Sequence, residues 1–183
     1  MNIAVPLAEG FEEIEAVAVI DILRRAGINV TTAFIKSNPV TGSHNIPVTA
    51  DADFSTLSPS EFDGIVLPGG MPGSRHLKED PRVIDFIRAV YSRNGYTAAL
   101  CAAPTVLYHA GILKGRRVTV FPEYADAMPD AVLTGDSVMI DERIITGKGA
   151  GAAIDFALAL VSEMAGSDKA KKLRASMQVF WNE

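Results

Sequence analysis

The amino-acid sequence predicts one three-layer α/β/α sandwich with a mostly parallel central sheet. Three observations carry that reading. Short β-branched runs alternate with longer helical patterns from end to end, the order in which crossover helices join parallel strands. The chain has 183 residues, the size of one domain, and no repeat, low-complexity tract or linker interrupts it, so residues 1–183 read as a single unit. With 48% hydrophobic and 21% charged residues it can bury a core without disulfide or metal staples.

Each element follows from a local pattern. Ile3–Leu7 is a first strand, Glu12–Ala26 a helix and Ile28–Ile35 a second strand. Gly27, just after Arg24-Arg25-Ala26, stops the helix, with cations in its last turn and glycine beyond it. Val40 to Ala52 alternates around Gly42 and Pro47 like a hairpin at the sheet edge. Gly64–Leu67 is a short apolar strand ending in Pro68-Gly69-Gly70. Pro81–Ser92 reads as a helix, Tyr96–Leu100 as a buried strand, Ala103–Ala110 as a helix and Val118–Phe121 as a strand. Val138–Ile140 and Arg143–Thr146 flank Asp141-Glu142 like a hairpin, and Ala150–Met164 and Lys169–Ser176 are the last helices. Right-handed crossovers place helices on both sheet faces. In such sheets the reactive site lies at the carboxyl ends of the strands, near the switch in strand order. Three places qualify: after Leu7, after Leu67 and after Leu100.

Composition excludes several functions. A net charge of −5 argues against a nucleic-acid partner. One cysteine, Cys101, rules out an intramolecular disulfide framework and any multi-cysteine metal site. The histidines at 44, 76 and 109 are too widely spaced for a local metal motif. Apolar runs such as Ala16 to Ile20 are far short of the roughly 20 residues that span a bilayer, so no membrane partner is expected. The N-terminus has no basic region and meets Glu9, Glu12 and Glu13 early, unlike a secretory signal, which makes cytoplasm the expected location.

Cys101 falls between the Thr97–Leu100 strand end and a helix beginning near Ala103-Pro104. A strand–nucleophile–helix turn exposes its side chain at the top of a sheet and aims it at a helix N-terminus, which favours a thiolate and lowers its pKa. Ala99, Ala102 and Ala103 are small enough for so tight a turn. A buried structural cysteine is the competing reading, and the local pattern leaves both open. Pro68-Gly69-Gly70-Met71-Pro72-Gly73 lacks the spacing of a phosphate loop; it reads as a tight turn or, beside Cys101, as a source of N–H groups for a substrate oxyanion. Glu15 lies on the apolar stripe of the first helix, among Phe11, Ala18, Val19 and Ile22, where desolvation should raise its pKa. Asp21 is explained by Arg24 and Arg25 one turn on, and Glu12 and Glu13 by the helix dipole. His109 falls late in a helix and His76 in a polar loop; nothing positively pairs a histidine with the thiol.

Three ordered segments resemble the ThiJ/PfpI superfamily, in the branch of the human parkinsonism-associated deglycase and its bacterial relatives: Ala8-Glu9-Gly10-Phe11-Glu12-Glu13-Ile14-Glu15, Leu67-Pro68-Gly69-Gly70, and Ala99-Leu100-Cys101-Ala102-Ala103-Pro104. A fourth, Thr146-Gly147-Lys148-Gly149-Ala150-Gly151-Ala152, extends the likeness over essentially the whole chain. The resemblance implies a flavodoxin-like sandwich, usually a homodimer, with a reactive cysteine at a nucleophile elbow. It implies Cys101 as nucleophile, Glu15 as the protonated glutamate bonded to it, and Gly70 and Ala102 as backbone oxyanion donors. Gly69 falls in the pocket, and Arg25 matches an arginine placed near the site across the dimer interface. The sequence departs from the pattern at Ala102, where protease-like members carry histidine, and at Phe121, where the deglycase carries histidine. His44 replaces a second pocket arginine and Ala150 a proline, so pocket charge and shape differ.

The expected function is that of a cofactor-independent and metal-independent enzyme acting on reactive dicarbonyls, as free aldehydes or as protein adducts. Cys101 would form a hemithioacetal and Glu15 would move a proton between adjacent carbons. Rival readings are a thiol sensor of oxidative stress or chaperone-like protein using an oxidisable Cys101, and a peptidase-like hydrolase.

Overall fold

A computed structural model describes residues 1–179. Its elements in chain order are β1 (Asn2–Leu7), α1 (Glu13–Arg25), β2 (Asn29–Phe34), β3 (Val40–Thr41), β4 (Pro47–Val48), β5 (Ala52–Asp53) and β6 (Gly64–Leu67). Then come α2 (Gly73–Glu79), α3 (Pro81–Ser92), β7 (Tyr96–Leu100), α4 (Pro104–His109), β8 (Arg117–Val118), β9 (Val132–Leu133), β10 (Val138–Asp141), β11 (Ile144–Gly147), α5 (Ala153–Ala165) and α6 (Ser167–Ser176).

Seven strands form the main sheet in the order β10-β11-β7-β6-β1-β2-β5. All pairs are parallel except β10–β11, the antiparallel hairpin at one edge. The side-chain period of two divides the core. In β6, Ile65 and Leu67 face α3 and α4 through Phe86, Ile87 and Leu107, while Val66 faces α1 and α5 through Val19, Leu23 and Phe156. Helices cover both faces of the strands that are buried on both sides: Gly64–Leu67 is apolar throughout, and Tyr96–Leu100 is apolar but for Thr97 and the Tyr96 hydroxyl. After β1 the chain builds outward to β2 and β5, then returns to place β6 on the other side of β1. That reversal sets the carboxyl ends of β1, β6 and β7 side by side.

Three expectations are corrected. The Val40–Ala52 hairpin does not join the sheet edge: β3 and β4 pair only with each other, and β5 takes the edge beside β2. The 40–48 hairpin instead folds over the start of α1, with Gly10 N donating to Thr41 O and Ser43 N to Phe11 O. The strand expected at Val118–Phe121 is only Arg117–Val118, paired with β9 away from the main sheet, because residues 119–121 turn toward the site. His76 is not in a loop but on α2, a helix hidden in the sequence by the proline and glycines at its start.

Candidate active site

Cys101 ends β7 with φ +59°, a left-handed backbone that costs a non-glycine residue roughly 1–2 kcal/mol. Two hydrogen bonds hold it there. Cys101 N donates to Gly147 O at 2.9 Å and Cys101 O accepts from Phe121 N at 3.0 Å. The half-buried thiol therefore stands above the sheet at the entry to α4.

Glu15 faces it from α1. The side chain is fully buried, as its place on the apolar stripe predicts. Its Oε2 accepts from Gly69 N at 2.7 Å, and its Oε1 is buried with no hydrogen-bond partner of standard geometry. The Gly69 peptide clasps the helix from both sides, since Gly69 O accepts from Glu12 N at 2.9 Å. Only glycine fits: a Cβ on Gly69 would lie 2.6 Å from Glu15 Oε2 and 2.7 Å from Cys101 Cβ. Gly70 has φ +87°, and a Cβ there would lie 2.4 Å from Glu12 N. Through this close approach the amides of Gly70 and Ala102 reach the Cys101 sulfur.

The electrostatics are those of a shared proton. Burial raises Glu15 to about 7; the Gly69 N–H opposes the rise, the Glu12 carboxylate adds to it, and contact with the thiol opposes it. Burial also pushes the Cys101 thiol up to about 12, helped by the charge and hydrogen bond of Glu15 and opposed by the Ala102 and Gly70 amides. The depressed thiol expected from the helix dipole is thus overturned. The helix that follows spans only Pro104–His109, and desolvation with a carboxylate at close range outweighs its field. The charge of ionised Glu15 opposes ionisation of the sulfur.

Glu13 is the residue that sequence reasoning misjudged. It is buried rather than a surface charge on the dipole, and it organises the 42–46 loop. Its Oε1 accepts from His44 N at 2.6 Å and Ile46 N at 3.4 Å; its Oε2 lies 2.9 Å from His44 Nδ1 and 3.3 Å from Ser43 Oγ. Burial alone would raise Glu13, but the His44 side-chain and backbone bonds outweigh it and hold the carboxyl at about 2. The bond to Glu13 in turn raises His44, whose side chain is 70% exposed. Glu12 also does more than meet the dipole: as N-cap it accepts from Glu15 N at 2.7 Å, fixing the turn that carries Glu15. The apolar residues around Glu15 were a legible signal; the partners of Glu13 were not, because they arrive from a loop about 30 residues away.

Glu12, Glu13 and His44 bring ligand atoms within 4.8 Å of one another. The Glu13 oxygens already carry those four contacts and Glu12 already accepts from the Glu15 amide, so the trio is occupied by the fold. Of the other predicted site residues, Ala150 opens a 3-10 turn before α5, next to Gly149, where a Cβ would sit 3.4 Å from the Phe121 ring. Arg25 lies at the far end of α1, about 15 Å along the helix from Glu15. There it pairs with Asp21 at 2.7 Å, while Arg24 pairs with Asp51. His76 Nδ1 lies 3.1 Å from Glu9 O, and His109 ends α4.

A sandwich whose strand-end cysteine meets a buried glutamate and a glycine turn defines a class of flavodoxin-like α/β proteins. The chain belongs to the DJ-1/PfpI family, whose model matches residues 1–163. It is 35% identical over 179 residues to protein dj-1beta of Drosophila melanogaster, covering 96% of each chain. The crystal structure of that fly protein superposes with a TM-score of 0.94 over 98% of both chains. The chain is 34% identical over 167 residues to the Caenorhabditis elegans protein named glutathione-independent glyoxalase DJR-1.2, covering 90% of this chain and 89% of that one. An oxidized Toxoplasma gondii DJ-1 structure is 33% identical, with a TM-score of 0.92 over 97% of each chain. These neighbours carry the flavodoxin-like fold that the resemblance implied. Among the described residues no helix is long and apolar enough to cross a membrane.

Proposed function

We propose that this protein is a cofactor-independent enzyme of reactive α-oxoaldehydes, of glyoxalase or deglycase type, with Cys101 as nucleophile and Glu15 as proton carrier. The observation that carries the reading is the buried Glu15 carboxyl, poised at about 7, against a thiol within reach of two amides. A carboxyl with a pKa near the working pH both takes and returns a proton readily. The Cys101 sulfur bonds to the aldehyde carbon and the thiol proton ends on the former carbonyl oxygen, giving a hemithioacetal. Gly70 and Ala102 N–H groups stabilise the oxygen's developing charge. Ionised Glu15 removes the hydrogen from that carbon as a proton and returns it to the neighbouring carbonyl carbon through an enediolate, while the hydroxyl proton passes to the neighbouring oxygen, leaving the thioester of a 2-hydroxy acid. Water cleaves the thioester to a hydroxy acid and restores the thiol. The name of the nematode relative supports this chemistry.

The same reading includes a cytoplasmic homodimer. Ile14 and Val17 on the outer face of α1, with Ile46 and Ile154, are large apolar side chains left exposed. Arg25 stands eleven residues after Ile14, within about 20° of the same helix face, where a partner molecule would meet it. The substrate is a small aldehyde or a glycated protein side chain. Purified protein should convert methylglyoxal to lactate without glutathione, and Cys101→Ala should abolish it; full turnover by that variant would sink the mechanism.

A second reading, an oxidation sensor or chaperone-like protein, is favoured by one feature: the thiol sits beside two amides and a carboxyl able to cradle a sulfinate. Intact mass after mild peroxide should show two added oxygens on Cys101 if it holds. A peptidase-like hydrolase reading calls for a basic partner of Cys101, whereas the groups acting on the thiol are a carboxyl and amides.

A further inference from the structure

Phe121 is a large aromatic side chain left 42% exposed, yet its backbone is tied to the nucleophile itself. Its N–H donates to Cys101 O, so the backbone that carries the ring is tied to the backbone that carries the thiol. The ring lies beside Gly149 and is tilted 49° to Tyr124 at a centroid distance of 6.4 Å. Tyr124 is near enough for the charge on Cys101 to act on its phenol. On the other lip Met71, directly after Gly70, is 43% exposed. Met71 and Phe121 therefore leave apolar surface exposed beside the Gly70 turn and the Cys101 backbone, and burying it needs an apolar occupant.

We propose that Phe121, backed by Tyr124, is the specificity wall of this site, and that the protein selects oxoaldehydes bearing an aryl group over those bearing methyl. The inference rests on the dicarbonyl reading for its substrate class and on the geometry for its preference. An aryl ketone attached to the reacting aldehyde carbon brings one flat ring to the Cys101 turn, to which the Phe121 backbone is bonded and beside which Tyr124 lies. Aromatic rings gain from offset or tilted contact beyond simple burial, and methyl does not.

Two measurements separate the wall from the chemistry. In the first, the rate of Cys101 alkylation by N-phenylmaleimide is divided by the rate with N-methylmaleimide, in wild type, Phe121→Ala, Phe121→Leu and Phe121→Trp. The same ratio is taken for N-acetylcysteine. In wild type it should exceed the free-thiol ratio by about tenfold, fall toward it in Phe121→Ala and Phe121→Leu, and persist in Phe121→Trp. Phe121→Leu keeps bulk and Phe121→Trp keeps aromaticity, so a folding defect cannot imitate the pattern. In the second, kcat/KM for phenylglyoxal over methylglyoxal should follow the same order. A wild-type alkylation ratio equal to that of free thiol, or one unchanged in Phe121→Ala, overturns the wall even if both dicarbonyls turn over. Selective alkylation without any turnover keeps the wall and overturns the enzyme reading instead.

Discussion

Glu13 and Glu15 stand two residues apart on one turn of α1, both buried, and the protein pushes them in opposite directions, to about 2 and about 7. Depth and donors both explain the difference: Glu15 lies deeper than Glu13, so burial raises it further, and Glu13 has the more donors to oppose the rise. Glu13 receives two backbone amides and the His44 and Ser43 side chains, whereas Glu15 receives only the Gly69 amide and faces the Glu12 charge and a thiol. The first carboxylate is a permanent anion holding the 42–46 loop to the helix. The second is an exchangeable proton held beside a nucleophile.

Substitution of each by glutamine breaks the comparison most sharply. Glu15→Gln should lower methylglyoxal turnover by about 10²–10⁴-fold, the usual worth of a positioned acid–base group. Glu13→Gln should alter turnover per folded molecule far less. Equal losses in steady-state kinetics would mean that both carboxyls merely hold the loop and helix in place.

Stability should divide them the other way. A folded pKa held near 2 against 4.5 unfolded means Glu13 contributes about 3 kcal/mol above pH 4.5, lost as pH falls toward 2. Glu13→Gln should forfeit on that order at pH 7 in urea unfolding. Glu15 is raised instead, so its favourable share is complete below pH 4.5 and lost as pH rises through 7, about 3 kcal/mol in all. Relative to wild type, Glu15→Gln should therefore gain stability between pH 4 and pH 8. A difference between the two proteins that does not change with pH would mean Glu15 is not perturbed.

The pH–rate profile follows from the same group. Proton removal needs ionised Glu15, so kcat/KM should climb with pH through an apparent pKa near 7, about tenfold per unit on the acid side. The climb should be missing from Glu15→Gln. If the profile instead falls through that range, the protonated acid is the active form.

Much of this site was legible in the sequence because its logic is local. Cys101 ends an apolar strand, Gly69-Gly70 ends another, and Glu15 interrupts an apolar helical stripe; each is odd within ten residues of itself. Parallel topology then forces strand ends together, so three local oddities became one site. What was not legible depends on distant partners. Glu13 looks like any first-turn acid until the hairpin at 40–48 closes over it, and that hairpin was misplaced at the sheet edge. Phe121 looked like the end of a strand until its amide proved to be spent on Cys101 rather than on the sheet. The thiol's pKa was misread for a related reason: helix length and desolvation are three-dimensional quantities, while the presence of a helix start is not.

His44 gives the smallest and most discriminating test. Its bond to Glu13 raises its pKa, so its contribution is complete below the ordinary histidine value of 6.5 and fades as pH rises through the folded value. The ring is exposed and screened, so His44→Ala should shift the unfolding midpoint less than Glu13→Gln does. The backbone amides of residues 44 and 46 remain on Glu13 after that change, but the His44 side chain is the strongest of the donors that lower it, so its pKa rises part of the way back. The effect of His44→Ala on the midpoint should thus be present at pH 5.5, fade toward pH 9, and be accompanied by acid unfolding that moves upward less than in Glu13→Gln. If acid unfolding moves upward in His44→Ala as far as in Glu13→Gln, the imidazolium rather than the amide cage holds Glu13 ionised, and the contrast between a backbone-held anion and a proton-carrying neighbour would have to be redrawn around the side chain.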